Sequence, residues 1–152
     1  MGNEQNPIKG AEFEQRCLAF FAQKGIELQR QFIVPVGVNG YKKGHKFDLG
    51  SEEYKVIVEC KCHTWTSGNN APSAKMSTWN EAMYYFHISP SGYRKIFCVL
   101  KAEKDGQTLS EYYIRRHREL IPDDVEIWEY DINLEKAKIV FGKSALNVKT
   151  GD

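Results

Sequence analysis

Apolar residues near the start of the chain recur at helical spacing. In "GAEFEQRCLAFFAQKG", Phe13, Cys17, Phe20 and Phe21 fall on one stripe at about 100° per residue, with Leu18 on its edge. Asn6-Pro7 offers a cap and a first helical residue and Gly25 a stop, so one helix is expected over residues 8–24. Glu12 points away from the stripe. Glu14 falls inside it, and a carboxylate turned toward a core is costly unless a charge meets it.

The pattern then shortens. "IELQRQFIVPV" reads as a strand whose Pro35 suits an edge, "KFDLG" and "EYKVIVECKC" as two strands of a hairpin joined through Gly50-Ser51-Glu52-Glu53. Met76, Trp79, Met83 and Phe86 restore helical spacing and predict a core-facing second helix, ended by Ser89-Pro90-Ser91-Gly92. "RKIFCVLKAE" is a mostly buried strand. Ser110 is placed to cap a third helix, "EYYIRRHRELI", stopping before Pro122; "VEIWEYD" is a strand and "KAKIVFG" a candidate for one more. The order α-β-β-β-α-β-α-β predicts an α/β fold, a mixed β-sheet flanked by helices.

Composition bounds this picture without naming a function. The 152 residues, 41% hydrophobic and 27% charged, make one globular domain over residues 1–152. There is no apolar run of the roughly 20 residues that a membrane helix needs, and the N-terminus has neither a signal-peptide pattern nor a myristoylation signal; a cytoplasmic location with no membrane contact is the expectation. Cys17, Cys60, Cys62 and Cys98 lie in apolar segments, as reduced thiols do. Net charge is only +1, yet residues 61–118 carry 9 basic and 4 acidic side chains, while 119–152 carry 4 and 8. The middle of the chain is the basic part.

The chemistry concentrates in "GHKFDLGSEEYKVIVECKCH". Along the third strand Ile57, Glu59 and Lys61 share one face, and Val56, Val58, Cys60 and Cys62 the other. Asp48 on the preceding strand meets Glu59 only if the turn is centred near Glu53-Tyr54; a turn centred on Ser51-Glu52 shifts it by roughly 13 Å. Two carboxylates on adjacent strands suit Mg²⁺, which takes oxygen ligands and retains waters. A lysine beside them suits orienting or deprotonating a water, or stabilising an anionic transition state. Glu53-Tyr54-Lys55 is a second E-x-K, but it falls in the turn.

Asp48, Glu59-Cys60-Lys61 and the helix carrying Gly10-Ala11-Glu12-Phe13-Glu14 resemble the PD-(D/E)xK nuclease superfamily, which includes restriction endonucleases and Holliday-junction resolvases. The likeness spans a core of about residues 8–131, with Phe47 in place of the family's proline. It implies a restriction-endonuclease-like fold and a metal-dependent endonuclease hydrolysing phosphodiester bonds in DNA, in restriction, repair or defence. Asp48 and Glu59 would be metal ligands, the Cys60 backbone carbonyl a further ligand, Glu14 a support directly or through water, and Lys61 the catalytic lysine. The implied cofactor is Mg²⁺, with Mn²⁺ as a substitute, and a homodimer would allow a two-strand cut.

Each reading has a plainer rival. Asp48, Glu59 and Lys61 could be the solvent face of a hairpin, and Glu14 a helix-surface carboxylate. Lys42, Lys43, His45 and Lys46, and Lys75 on the second helix, are candidate nucleic-acid contacts or simply solvated cations. Arg115, Arg116, His117 and Arg118 suit the C-terminal half of a helix whatever they bind. Cys60, Cys62 and His63 raise zinc. The functional alternative is a non-catalytic nucleic-acid- or protein-binding module on the same fold.

Overall fold

The computed structural model describes residues 8–68 and 70–142. In chain order these form α1 (Gly10–Gln23), β1 (Gln29–Val36), β2 (Lys43–Ser51), β3 (Val56–Lys61), α2 (Ser73–His87), β4 (Arg94–Leu100), β5 (Glu103–Lys104), β6 (Gln107–Thr108), α3 (Leu109–His117), β7 (Val125–Asp131) and β8 (Lys136–Phe141). The main sheet has six strands in the order β1-β2-β3-β4-β7-β8. β3, β4 and β7 run parallel and the outer strands antiparallel, so the sheet is mixed and the protein α/β. Pro35 lies in the edge strand β1, as its missing N–H requires.

Two parallel connections fix the layers. β3-α2-β4 and β4-α3-β7 step the same way along the sheet, and right-handed crossovers of that kind land on one face. α2 and α3 accordingly share a core with Phe47, Ile57, Phe97, Val99, Val125 and Ile127. α1 covers the other face through Phe13, Cys17, Phe20 and Phe21, against Val58, Cys60, Ile96, Cys98 and Trp128. The Met76, Trp79, Met83, Phe86 stripe is core, as its spacing predicts. All four cysteines are thiols; Cys17 and Cys98 lie 3.5 Å apart between helix and sheet.

Several boundaries differ from the sequence reading. α1 begins at Gly10, and the proposed Asn6-Pro7 cap lies outside the described residues. α3 is capped by Thr108, not Ser110: the Thr108 hydroxyl accepts from the Glu111 N–H while the Glu111 carboxylate accepts from the Thr108 N–H, a capping box. The Ser110 and Thr108 hydroxyls instead donate to Glu129, a carboxylate only 3% exposed that would otherwise be unpaired. β4 stops at Leu100, and the polar "AEKDGQT" that follows makes the β5-β6 ribbon.

The hairpin turn occupies Glu52–Lys55 rather than Gly50–Glu53, with the Tyr54 N–H donating to the Ser51 hydroxyl at 3.0 Å. This two-residue difference sets the register Leu49↔Val58, Gly50↔Ile57, Ser51↔Val56. Extended by one pair, it brings Asp48 opposite Glu59.

A second irregularity also falls at Asp48. Phe47 packs in the α2-side core but Leu49 in the α1-side core, although period two would give them one face. In the β1-β2 register the partner position of Asp48 is Gln31, which has φ 56°. A non-glycine residue there costs about 1–3 kcal/mol unless its surroundings impose it. Gln31→Val, which strand propensity favours, is therefore expected to destabilise the protein by about 1–2 kcal/mol. The same change at Gln29, outside the left-handed region, should stay within about 0.5 kcal/mol. Chemical denaturation of both variants checks this, and equal effects would refute it.

Candidate active site

Where β2 and β3 stop pairing, Asp48 takes over from the backbone. The ladder ends at Leu49↔Val58, and the Cys60 N–H donates to Asp48 Oδ2 at 2.8 Å. The carboxylate thus caps a strand amide that a carbonyl would otherwise satisfy. Burial pushes Asp48 up to about 6; the Cys60 N–H opposes the shift, and the neighbouring Glu14 carboxylate adds to it by charge and hydrogen bonding.

Glu59 is more strained electrostatically. Burial, and then the Asp48 charge, push its carboxyl up to about 8, with Lys61 acting the other way. Its Oε1 is buried with no hydrogen-bond partner among the described residues. An orphaned acceptor of this kind beside a second carboxylate suits a cation. Among the described residues no three His, Cys, Asp or Glu side chains form a ready-made ligand set. What the site offers is two carboxylates with Glu14 beside them, the donor set of an ion that keeps several waters.

Glu14 is turned inward as its place on the helix predicts, but its cationic partner is one that the sequence did not suggest. Arg30 of β1 reaches Glu14 Oε1 at 3.0 Å and also donates to Gln15 Oε1 at 3.2 Å and to the Ala11 carbonyl at 3.4 Å. Arg30 was invisible in the sequence because it depends on β1 crossing beside α1.

On the α2 side, Glu59 and Lys61 line a cleft of about 180 Å³ with His45, Phe47, Thr78, Glu81, Ala82 and Tyr85. Thr78, Glu81 and Tyr85 escaped the sequence reading, although their three- and four-residue spacing marks a stripe beside the core stripe. His45 stacks on Tyr85 with ring centroids 3.7 Å apart and planes 10° apart. Burial lowers its pKa, and Glu81 opposes that. The imidazole is thus a wall of the cleft.

The other basic candidates scatter. Lys42 donates to the Gly37 carbonyl at 3.2 Å within its own loop, and Lys43 and Lys75 are exposed, as is Lys46. The zinc candidates go to separate partners. Cys60 is buried on the α1 face beside Cys17. The Cys62 thiol donates to the Ile8 carbonyl at 3.4 Å, and His63 Nδ1 accepts from the Trp79 indole at 2.9 Å. Burial and the Lys61 and Lys75 charges hold His63 down at about 4, so it serves as a neutral acceptor.

No helix among the described residues is long and apolar enough to cross a membrane. Comparison of the chain with protein-family models, with curated proteins and with solved structures returns no match.

Proposed function

We propose that this protein is a metal-dependent nuclease of the PD-(D/E)xK type, hydrolysing phosphodiester bonds in DNA. The observation that carries the reading is the pairing of Asp48, bound to the Cys60 N–H, with a Glu59 whose buried Oε1 has no partner. Lys61 follows on the same face of β3 and lines the same cleft. The layer order of helix, hairpin, crossover helix and parallel strands supports a restriction-endonuclease-like architecture.

In this reading Asp48, Glu59 and the Cys60 carbonyl would hold a Mg²⁺ ion, with Glu14 supporting it directly or through water. When bound, such an ion lowers the pKa of a coordinated water and neutralises charge on the departing oxygen. Asp48 fixes the strand end through the Cys60 N–H, so the two carboxylates stay opposed before the ion arrives. Lys61 orients the attacking water or stabilises the anionic transition state. Arg30 holds Glu14 in position. His45 and Tyr85 wall the cleft against solvent.

The test is cleavage of plasmid and branched DNA in Mg²⁺ against EDTA, by wild type, Asp48→Asn and Lys61→Ala. Cleavage by the wild type only with Mg²⁺, and loss in both variants, is expected. Equal activity in all three proteins would sink the assignment.

A further inference from the structure

We propose that a single-stranded segment of nucleic acid lies along a ridge of rings and cations leading from the cleft across Trp65 to α3. The inference rests on the nuclease reading and adds the path of the strand and its unpaired state. Trp65 is half-buried and pinned, its Nε1 donating to the Ala102 carbonyl at 2.8 Å. Its ring meets Tyr112 edge to face, with centroids 5.5 Å apart and planes at 68°. The two rings form a platform with two facets rather than one plane.

Cations gather around that platform. Lys104 Nζ lies 5.7 Å from the Trp65 ring centre, and the Arg115 and Arg116 guanidinium carbons lie 5.8 and 5.7 Å from that of Tyr112. Arg115 and Arg116 are exposed, and Glu111 is turned to the Thr108 N–H. Trp65 lies four chain steps beyond Lys61, a reach of at most roughly 13 Å. That is about four nucleotides of stacked strand. Lys75 stands near this path, close enough that His63 feels its charge. Aromatic rings interleaved with mobile cationic side chains are surfaces on which unpaired bases stack, the cations moving off the ring faces to meet phosphates. Paired bases hide their faces, so a duplex cannot use the rings.

Binding is read in EDTA, where no cleavage is needed, by anisotropy of a labelled oligothymidylate and of a duplex. Trp79 and Trp128 are only 1% and 9% exposed, so quenching of tryptophan emission by bound bases reports Trp65. The single strand is expected to bind at least about tenfold tighter than the duplex. Tyr112→Ala should weaken it by about 5–100-fold. The double change Arg115→Gln with Arg116→Gln, at exposed positions, should reduce the slope of log affinity against log salt by about 1.4. Equal duplex binding, or a double variant with unchanged affinity and slope, overturns the ridge. The nuclease reading fails separately, by absence of Mg²⁺-dependent cleavage in a protein whose strand binding still depends on Arg115 and Arg116.

Discussion

Lys61→Ala is expected to cut Mg²⁺-dependent DNA cleavage by about 10²–10⁴-fold, the range for removing a group that moves a proton or meets developing charge. Lys61 is half-buried at the end of β3 and lines the cleft with Glu59, so the loss falls on chemistry rather than on the core. Asp48→Asn should show a different pattern. An amide oxygen can still accept from the Cys60 N–H, which preserves the strand end. The missing charge weakens the grip on the ion, so part of the lost activity should return at high Mg²⁺. A titration of cleavage rate against Mg²⁺ separates the two: Lys61→Ala stays low at saturation, whereas Asp48→Asn climbs. Identical curves would remove the distinct roles.

Glu59→Gln is expected to abolish cleavage and yet stabilise the metal-free protein in alkaline buffer by about 2–3 kcal/mol. The sign follows from burial and the Asp48 charge, which raise the folded pKa of Glu59 from 4.5 to about 8. A carboxyl raised in this way holds its proton better folded than unfolded. Its stabilising contribution is therefore complete below the unfolded pKa and lost as pH climbs through about 8. Wild type in EDTA should lose stability between about pH 5 and 9, and Glu59→Gln should be flatter, melting about 5–10 °C higher at pH 9. Added Mg²⁺ should restore the wild type but not the variant. A wild-type melting temperature independent of pH in EDTA would refute the account.

These two expectations describe a site that trades stability for readiness. Two opposed carboxylates are unfavourable in an empty cleft, and a lone Oε1 without a partner adds to the cost. The same strain supplies affinity when a cation binds. Arg30 offsets part of the charge from the α1 side, though it reaches Glu14 rather than Glu59.

What the sequence revealed depended on whether a signal was local. The helices were legible because Phe13, Cys17, Phe20, Phe21 and Met76, Trp79, Met83, Phe86 repeat every three or four residues, and all eight are buried. The inward turn of Glu14 followed from the same wheel. Alternation put Glu59 and Lys61 on one face, and both line one cleft. The distance from Asp48 to Glu59 was not local, because it hung on a turn whose two placements fit the same residues. Ser51 resolves it by accepting from Tyr54, carrying β2 one residue past Gly50. Gln31 gave no warning of its left-handed backbone, since nothing in "LQRQF" resembles a glycine or asparagine position. The Thr108 cap was hidden because Ser110 looked as good until Glu129 claimed its hydroxyl. Tyr85, Glu81 and Trp65 needed tertiary structure to meet their neighbours.

The Glu52–Lys55 turn works as a gauge as well as a connection. Its side chains contribute ion pairs at the surface, such as Lys55 with Glu52, which are worth little. Its length decides which β2 residue faces Glu59, and because strand side chains alternate, a slip of one residue would exchange the faces of every paired position. Drift in the letters of this segment is therefore cheap except at Lys55, whose φ of 54° disfavours β-branched residues, whereas gaining or losing a single residue would part Asp48 from Glu59 while leaving both in the chain. In any relative, the count of residues between the two acids carries more information than the residues that fill it.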